Sequence, residues 1–411
     1  YLQRVSSTNT VKANAKKAPV NQYIHAEGLA DPASKYIVML NMDTVYSHIY
    51  FDLRREPVYV KKPASDRYNS FELIDAYGDC IDILGTGFIG GDEETEAVLV
   101  GPDYQGELPG DIHIIHSPTS DLWGFIRILS KTNNNEDCQN IKKIQDGYEV
   151  RPLSARYKPY IQPDGSYNSQ YDFVPFEKLN QLTTEEVFQI FNWMLPGNPG
   201  KHYDTELLES VAEDGIGIGK EFQLNNLPEE IRHEVAQFHE RMVNEFDNSR
   251  YGYMIGDWML SSHNIADFKK DYIFRAHIAW GGVGANPIQM AIYPSHLLKT
   301  GDDVVVHFYD KPAVRTEDGG FWSISIYGLD KFIISNEIGR FGLNDRSNLV
   351  YNEDGSFDIL IQKERPEGKM VNNWLPNVGK PSLIVLRFYL PTEQLLKDEW
   401  RYPEIRVKDG R

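Results

Sequence analysis

Asp43 and Asp75 are the carboxylates best placed in this sequence to do chemistry, each in or just beyond an apolar, strand-like run. Desolvation there raises a carboxyl pKa and a neighbouring arginine lowers it, which is how a fold sets an acid against a base. Two such groups facing one cleft could protonate a leaving oxygen and stabilise or attack an anomeric carbon, the chemistry of glycoside cleavage. Asp43 is read as the general acid or base and Asp75 as its partner. The structural alternative stands beside this: among 60 acidic residues, either carboxylate can be a plain counter-ion.

Arginines interleaved with hydrophobic residues are the second signal. Arg67 precedes Tyr68, Arg340 precedes Phe341, Arg127 lies between Ile126 and Ile128, and Arg387 lies between Leu386 and Phe388. A buried guanidinium demands a carboxylate or several carbonyls, so these four either orient substrate and carboxylates or form internal ion pairs. Asn41, Tyr46, Asn373 and Trp374 would shape the pocket. Trp322, Trp374, Tyr327 and Tyr389 could line a sugar-stacking surface or fill a core.

Other constellations lead nowhere. His113 and His116 are three apart on a strand, so their imidazoles face opposite sides and share no ion. Gly215-Ile216-Gly217-Ile218-Gly219-Lys220 follows a helical stretch and lacks the Lys-Ser/Thr pair of a phosphate loop. No nucleophile elbow, zinc-protease pair or Cys-x-x-Cys occurs, and the sequence calls for no cofactor and no metal. Cys80 and Cys138 permit one bridge without requiring it.

The elements that must position these residues are short strands with turn punctuation. His48 to Leu53, Val58 to Lys61, Tyr68 to Asp75, Ile81 to Leu84, Ala97 to Val100, Asp111 to His116 and Leu122 to Leu129 are separated by pieces such as Gly78-Asp79 and Gly101-Pro102-Asp103. Tyr36 to Leu40 reads as a buried strand leading into Asn41 and Asp43. The period then changes: Thr183-Thr184-Glu185-Glu186 opens a helix that Pro196-Gly197 ends, and Thr205 to Ala212, Pro228 to Phe246 and Ile265 to Ala279 continue helically. Strands return at Gln289 to Tyr293 and Val304 to Tyr309 and run to Tyr389.

The expected fold is therefore mainly β, a multi-domain α+β chain with two antiparallel β-sandwich or jelly-roll-like domains and a helical insertion between them. Its parts are an N-terminal arm (1–35), an N-terminal β domain (36–150), a linker (151–180), a helical segment (181–285) and a C-terminal β domain (286–411). A chain of 411 residues with 41% apolar and 12% aromatic residues can fill two such cores. The formal charge of −18 lacks the basic patches that nucleic acid or anionic membranes need. No apolar run is long enough to span a bilayer. Tyr1 in place of Met, and a polar stretch to Lys17, fit either a cytoplasmic chain or a periplasmic or secreted one whose leader has been removed.

Several of these motifs together resemble a two-domain family, domain of unknown function 1254 followed by domain of unknown function 1214. In the first half they are Asn41, Asp43, Thr44, Tyr46, Ser47, Arg67-Tyr68, Asp75, Gly101-Pro102, Ser117-Pro118-Thr119 and Arg127. In the second they are Arg275-Ala276, Phe321-Trp322-Ser323, Tyr327, Asn336, Arg340, Asp354-Gly355-Ser356, Asn373-Trp374-Leu375-Pro376 and Arg387-x-Tyr389-x-Pro391. The resemblance covers about Tyr36 to Trp400. It implies a β-rich two-domain architecture with a helical insertion and a suggested role in carbohydrate processing, and it assigns no catalytic residue.

The expected function is an enzyme of hydrolase or lyase type, working with acid/base carboxylates on a carbohydrate-like or other polar small molecule in an interdomain cleft. Two alternatives remain open at this stage. One is a non-catalytic carbohydrate- or ligand-binding protein, the other an enzyme acting on an aromatic or lipophilic metabolite. A homo-oligomer is compatible with either.

Overall fold

A computed structural model describes residues 1–35, 37–132, 134–238, 251–280 and 286–408. Four β-sheets stack as layers, with six, four, seven and four strands. In the N-terminal half the strand Asp121–Leu129 lies between Thr44–Asp52 and Asn69–Asp75, both antiparallel to it. Alternation then sorts the side chains of these strands. Ile49, Phe51, Phe71, Leu73, Ile126 and Ile128 point one way and meet Val58, Val60, Ala97 and Leu99 of the four-stranded sheet in an apolar core. Gly124 makes room there, because a β-carbon would stand 2.5 Å from the Phe71 ring and 2.8 Å from Ile49.

The C-terminal half repeats this plan. Strand Phe321–Gly328 pairs with Ser382–Tyr389 over its whole length. Trp322, Ile324, Ile326, Leu386 and Phe388 meet Val304, Val306, Phe308, Phe357, Ile359 and Ile361 of the outer sheet. The other faces of the two inner sheets face each other. There Tyr46, Tyr50, Ile74, Trp123 and Phe125 pack against Tyr327, Ile333 and Val385, and Tyr68 and Ile83 pack against Phe321 and Tyr389. We call this inner contact the seam.

The fold is mainly β and sandwich-like, as its strand pattern predicts. The seven-stranded sheet is antiparallel and the other three are mixed: Cys80–Gly85 with Ile89–Gly90, Thr95–Val100 with His113–His116, and Phe357–Gln362 with Trp374–Pro376 pair in parallel. The helix Thr184–Met194 starts at a capping box in which Thr183 and Glu186 exchange hydrogen bonds.

Two expectations fail. Residues 37–40 form bends and turns rather than a strand, with Met39 left-handed at φ 53°; Tyr36 lies outside the described residues. Within the segment expected to be helical, Gly252–Ile255 and Trp258–Ser261 form a hairpin that joins the seven-stranded sheet, turning at Gly256 with φ 57°. The described part of the helix expected from Pro228 is Glu229–Ala236, and residues 239–246 lie outside the described residues.

Candidate functional site

Five of the predicted residues meet in the seam. Register places Tyr46 and Ser70 directly beside Arg127, with Glu72 diagonal to it on the same face. Arg127 Nη1 donates to Glu72 Oε2 at 2.9 Å and Nη2 to Asn286 Oδ1 at 3.2 Å, and Asn286 Nδ2 donates to the same Glu72 oxygen at 3.0 Å. Tyr293 donates to Asn286 at 2.9 Å, and its hydroxyl lies 3.1 Å from that of Tyr389. Asn41 Nδ2 donates to the Tyr389 hydroxyl at 2.8 Å, while the Asn41 N–H donates to the Tyr46 hydroxyl at 2.9 Å. One hydrogen-bonded chain thus runs from Glu72 of the first half to Tyr389 of the second and back to Tyr46.

Arg387 enters from the opposite sheet. Nη2 donates to the Met39 carbonyl at 2.7 Å, and the guanidinium lies 5.2 Å from the Tyr327 ring centroid and 5.7 Å from that of Tyr293. The Tyr327 hydroxyl donates to the Leu40 carbonyl at 2.7 Å. The turned backbone at 37–40 is explained by these bonds, because a regular strand would spend those carbonyls on a neighbour. Among the described residues no carboxylate reaches Arg387.

Burial dominates the electrostatics here. It pushes the Glu72 carboxyl up, with Arg127 only partly offsetting the loss of water. It likewise pushes the phenols of Tyr46 and Tyr293 up, so both stay protonated at neutral pH.

Asp43 sits at the rim of this layer. Its N–H is held by the Asn41 side chain, and its Oδ1 accepts from Asn344 Nδ2 and from Arg346 Nη2, each at 2.7 Å. Arg346 Nη1 donates to Asp345 at 2.5 Å, so one guanidinium joins two carboxylates across the domains. Asp345 keeps about a quarter of its side chain in solvent. Burial, aided by the charge of Asp43 and opposed by Arg346, pushes its carboxyl up to about 6.

Asp75 does not meet Asp43. Asp43 is level with Ser130 and Asp75 with Leu122 on the shared strand, which separates them by roughly 26 Å at about 3.3 Å per residue. Asp75 instead pairs with Lys201 at 2.8 Å, which also holds Asp79, and burial pushes the Asp75 carboxyl up despite that partner.

The remaining predicted residues serve elsewhere. Arg67 is paired with Asp66 and Asp137. Trp322 is in the outer core of the second half, its ring tilted against those of Phe308 and Phe357. Trp374 donates from Nε1 to the Gln362 carbonyl, Asn373 clamps Val350 and Asp358, and Arg340 donates to the carbonyls of Val371 and Trp374. Cys80 and Cys138 are free thiols.

Sequence reasoning missed Glu72, Asn286, Tyr293, Asn344, Asp345 and Arg346. Glu72 carried a usable signal, a charge between Phe71 and Leu73 with an arginine available to answer it. Asp345-Arg346, directly after the strand Gly342–Asn344, carried another.

Comparison with known proteins bears on the architecture. Residues 20–152 match the model described as Protein of unknown function (DUF1254), and residues 295–393 match Protein of unknown function (DUF1214). The chain belongs to the family that joins these two domains in this order. The seam lies between them, since Asn41, Glu72 and Arg127 fall in the first and Tyr389 and Arg387 in the second. No curated protein matches. The VPA0106 protein of Vibrio parahaemolyticus shares the fold, with a TM-score of 0.66 and 21% identity over 99% of this chain and 96% of that one. An uncharacterised Burkholderia cenocepacia protein aligns over 99% of this chain and 86% of its own at 13% identity and a TM-score of 0.49. Among the described residues no helix is long and apolar enough to cross a membrane.

Proposed function

We propose that the protein is an enzyme that moves a proton on a carbohydrate-like or other polar small molecule at the rim of the seam, as a hydrolase or lyase does. Asp345 is the acid/base group and Asp43 its partner, the role that the apolar flanks had suggested for Asp75. The observation that carries this reading is the pairing itself. Two carboxylates from different domains share Arg346, and burial pushes the one that reaches solvent up to about 6, toward the range in which a general acid or base works. Asn41, Tyr46, Arg127, Arg387 and Tyr389 form the buried layer behind it, and Asn41 fixes the Asp43 backbone.

The test is turnover against a panel of oligosaccharides and sugar acids, followed both as reducing ends released and as unsaturated product formed. Asp345→Asn should lower turnover at least about 100-fold with the melting temperature within a few degrees of wild type. A fully active variant ends the assignment. Non-catalytic capture of a ligand is the second reading, and Arg387 favours it, because a buried cation that no described carboxylate reaches suits an anionic guest. Binding of sugar acids that Arg387→Met abolishes, with no turnover by wild type, would select it.

A further inference from the structure

At the edge of the seven-stranded sheet, beside the outer core and apart from the seam, three chain segments bring a phenol, an imidazole and a carboxylate to one point. Tyr253 is on the strand Gly252–Ile255, His263 follows its partner strand Trp258–Ser261 by two residues, and Asp398 follows the helix Glu393–Leu396. Tyr253 Oη lies 2.6 Å from His263 Nε2, 2.9 Å from Asp398 Oδ2 and 3.1 Å from Asp398 Oδ1, and His263 Nε2 lies 3.6 Å from Asp398 Oδ2.

Those separations suit three ligands on one face of an ion. Neighbouring ligands at about 2.1 Å from an octahedral centre stand about 3 Å apart. The circle through Tyr253 Oη, His263 Nε2 and Asp398 Oδ2 has a radius of about 1.8 Å, so an ion about 2.1 Å from each would sit about 1 Å above their plane. A fourth group stands ready. Tyr402, in the apolar cluster that Tyr253 packs against, is 7% exposed and its hydroxyl has no hydrogen-bond partner. A buried hydroxyl left without a partner is costly, and it points to a missing ligand.

We propose that Tyr253, His263 and Asp398 bind a ferric ion, with Tyr402 supplying a further oxygen. Two phenols and a carboxylate are hard, anionic donors that suit a hard trivalent ion, and the single imidazole is common to iron sites. Thiolates and thioethers, which would select softer metals, are not part of the set. As the ion arrives, each coordinating phenol releases its proton to solvent.

The experiment is titration of the full chain with ferric nitrilotriacetate, read as visible phenolate-to-iron charge-transfer absorption. One equivalent should saturate the band in wild type, Tyr253→Phe should lose it, and His263→Gln should weaken iron binding at least tenfold while keeping the phenols. No band in wild type overturns the proposal, as does a band undiminished in Tyr253→Phe. Should Tyr253→Phe fail to fold, His263→Gln decides, and unchanged affinity there overturns it.

Discussion

The same strands build the interior of each domain and the seam between the domains, and only the seam face carries buried polar groups among its apolar ones. On Asn69–Asp75, Phe71 and Leu73 turn to the apolar core while Glu72 turns to Arg127 and Asn286. On Ser382–Tyr389, Leu386 and Phe388 turn to the other core while Arg387 and Tyr389 face the seam. Apolar contact is non-directional and scales with area, so the cores hold each domain together without dictating how the two halves meet. The seam is directional, and a shift of either sheet would break several buried hydrogen bonds together. The cores thus hold each domain together, and the hydrogen bonds of the seam fix how the two halves meet.

The largest test of this contrast is at the buried ion pair. Glu72→Leu strands a guanidinium that cannot discharge and should cost about 3–5 kcal/mol. Arg127→Met leaves a carboxyl already pushed toward its neutral form, so the loss should be smaller, about 1–3 kcal/mol. Equal shifts in denaturation midpoint would break the reading.

Next comes Trp322→Ala, which empties space in an apolar core and should cost about 3–5 kcal/mol. In contrast to seam variants, it should leave sugar-acid binding by the folded protein unaltered, as measured by calorimetry.

A smaller effect is expected from Asp345. Its folded pKa is raised, so between about pH 4 and about pH 6 the folded state holds a proton that the unfolded chain has released. Stability should therefore fall as pH rises through that window and then level off. Asp345→Asn should flatten the profile, and melting temperatures from pH 4 to 7 for both proteins would show it. Smallest is Thr183→Ala, which removes the capping box. It should cost about 1 kcal/mol, visible as faster amide exchange in the helix Thr184–Met194 with the seam unaffected.

Much of this plan was legible in the sequence, for identifiable reasons. Alternation with turn residues marks the strands, and Thr183 with Glu186 marks a helix start. Arg127 and Arg387 stand out because a permanent cation in an apolar strand must find partners. What the sequence hides is which end of a sheet a residue occupies. Asp43 and Asp75 both flank apolar strands, but one precedes its strand and the other ends a neighbouring one, and the strand they share pulls them apart. The hairpin at 252–261 had its own signal, Gly256-Asp257 between apolar triplets, set inside a region of helical character. The segment 37–40 had none, because its conformation is set by groups more than 280 residues away.

That last segment has a consequence for how the molecule can vary. Arg387 and Tyr327 grip it by the main-chain oxygens of residues 39 and 40, atoms that every amino acid possesses. The grip is therefore blind to side-chain identity on the gripped side and exacting on the gripping side. Met39, with its positive φ, could give way to glycine or asparagine at no loss to the bond, whereas neither Arg387 nor Tyr327 has a substitute that reaches as far with a donor at its tip.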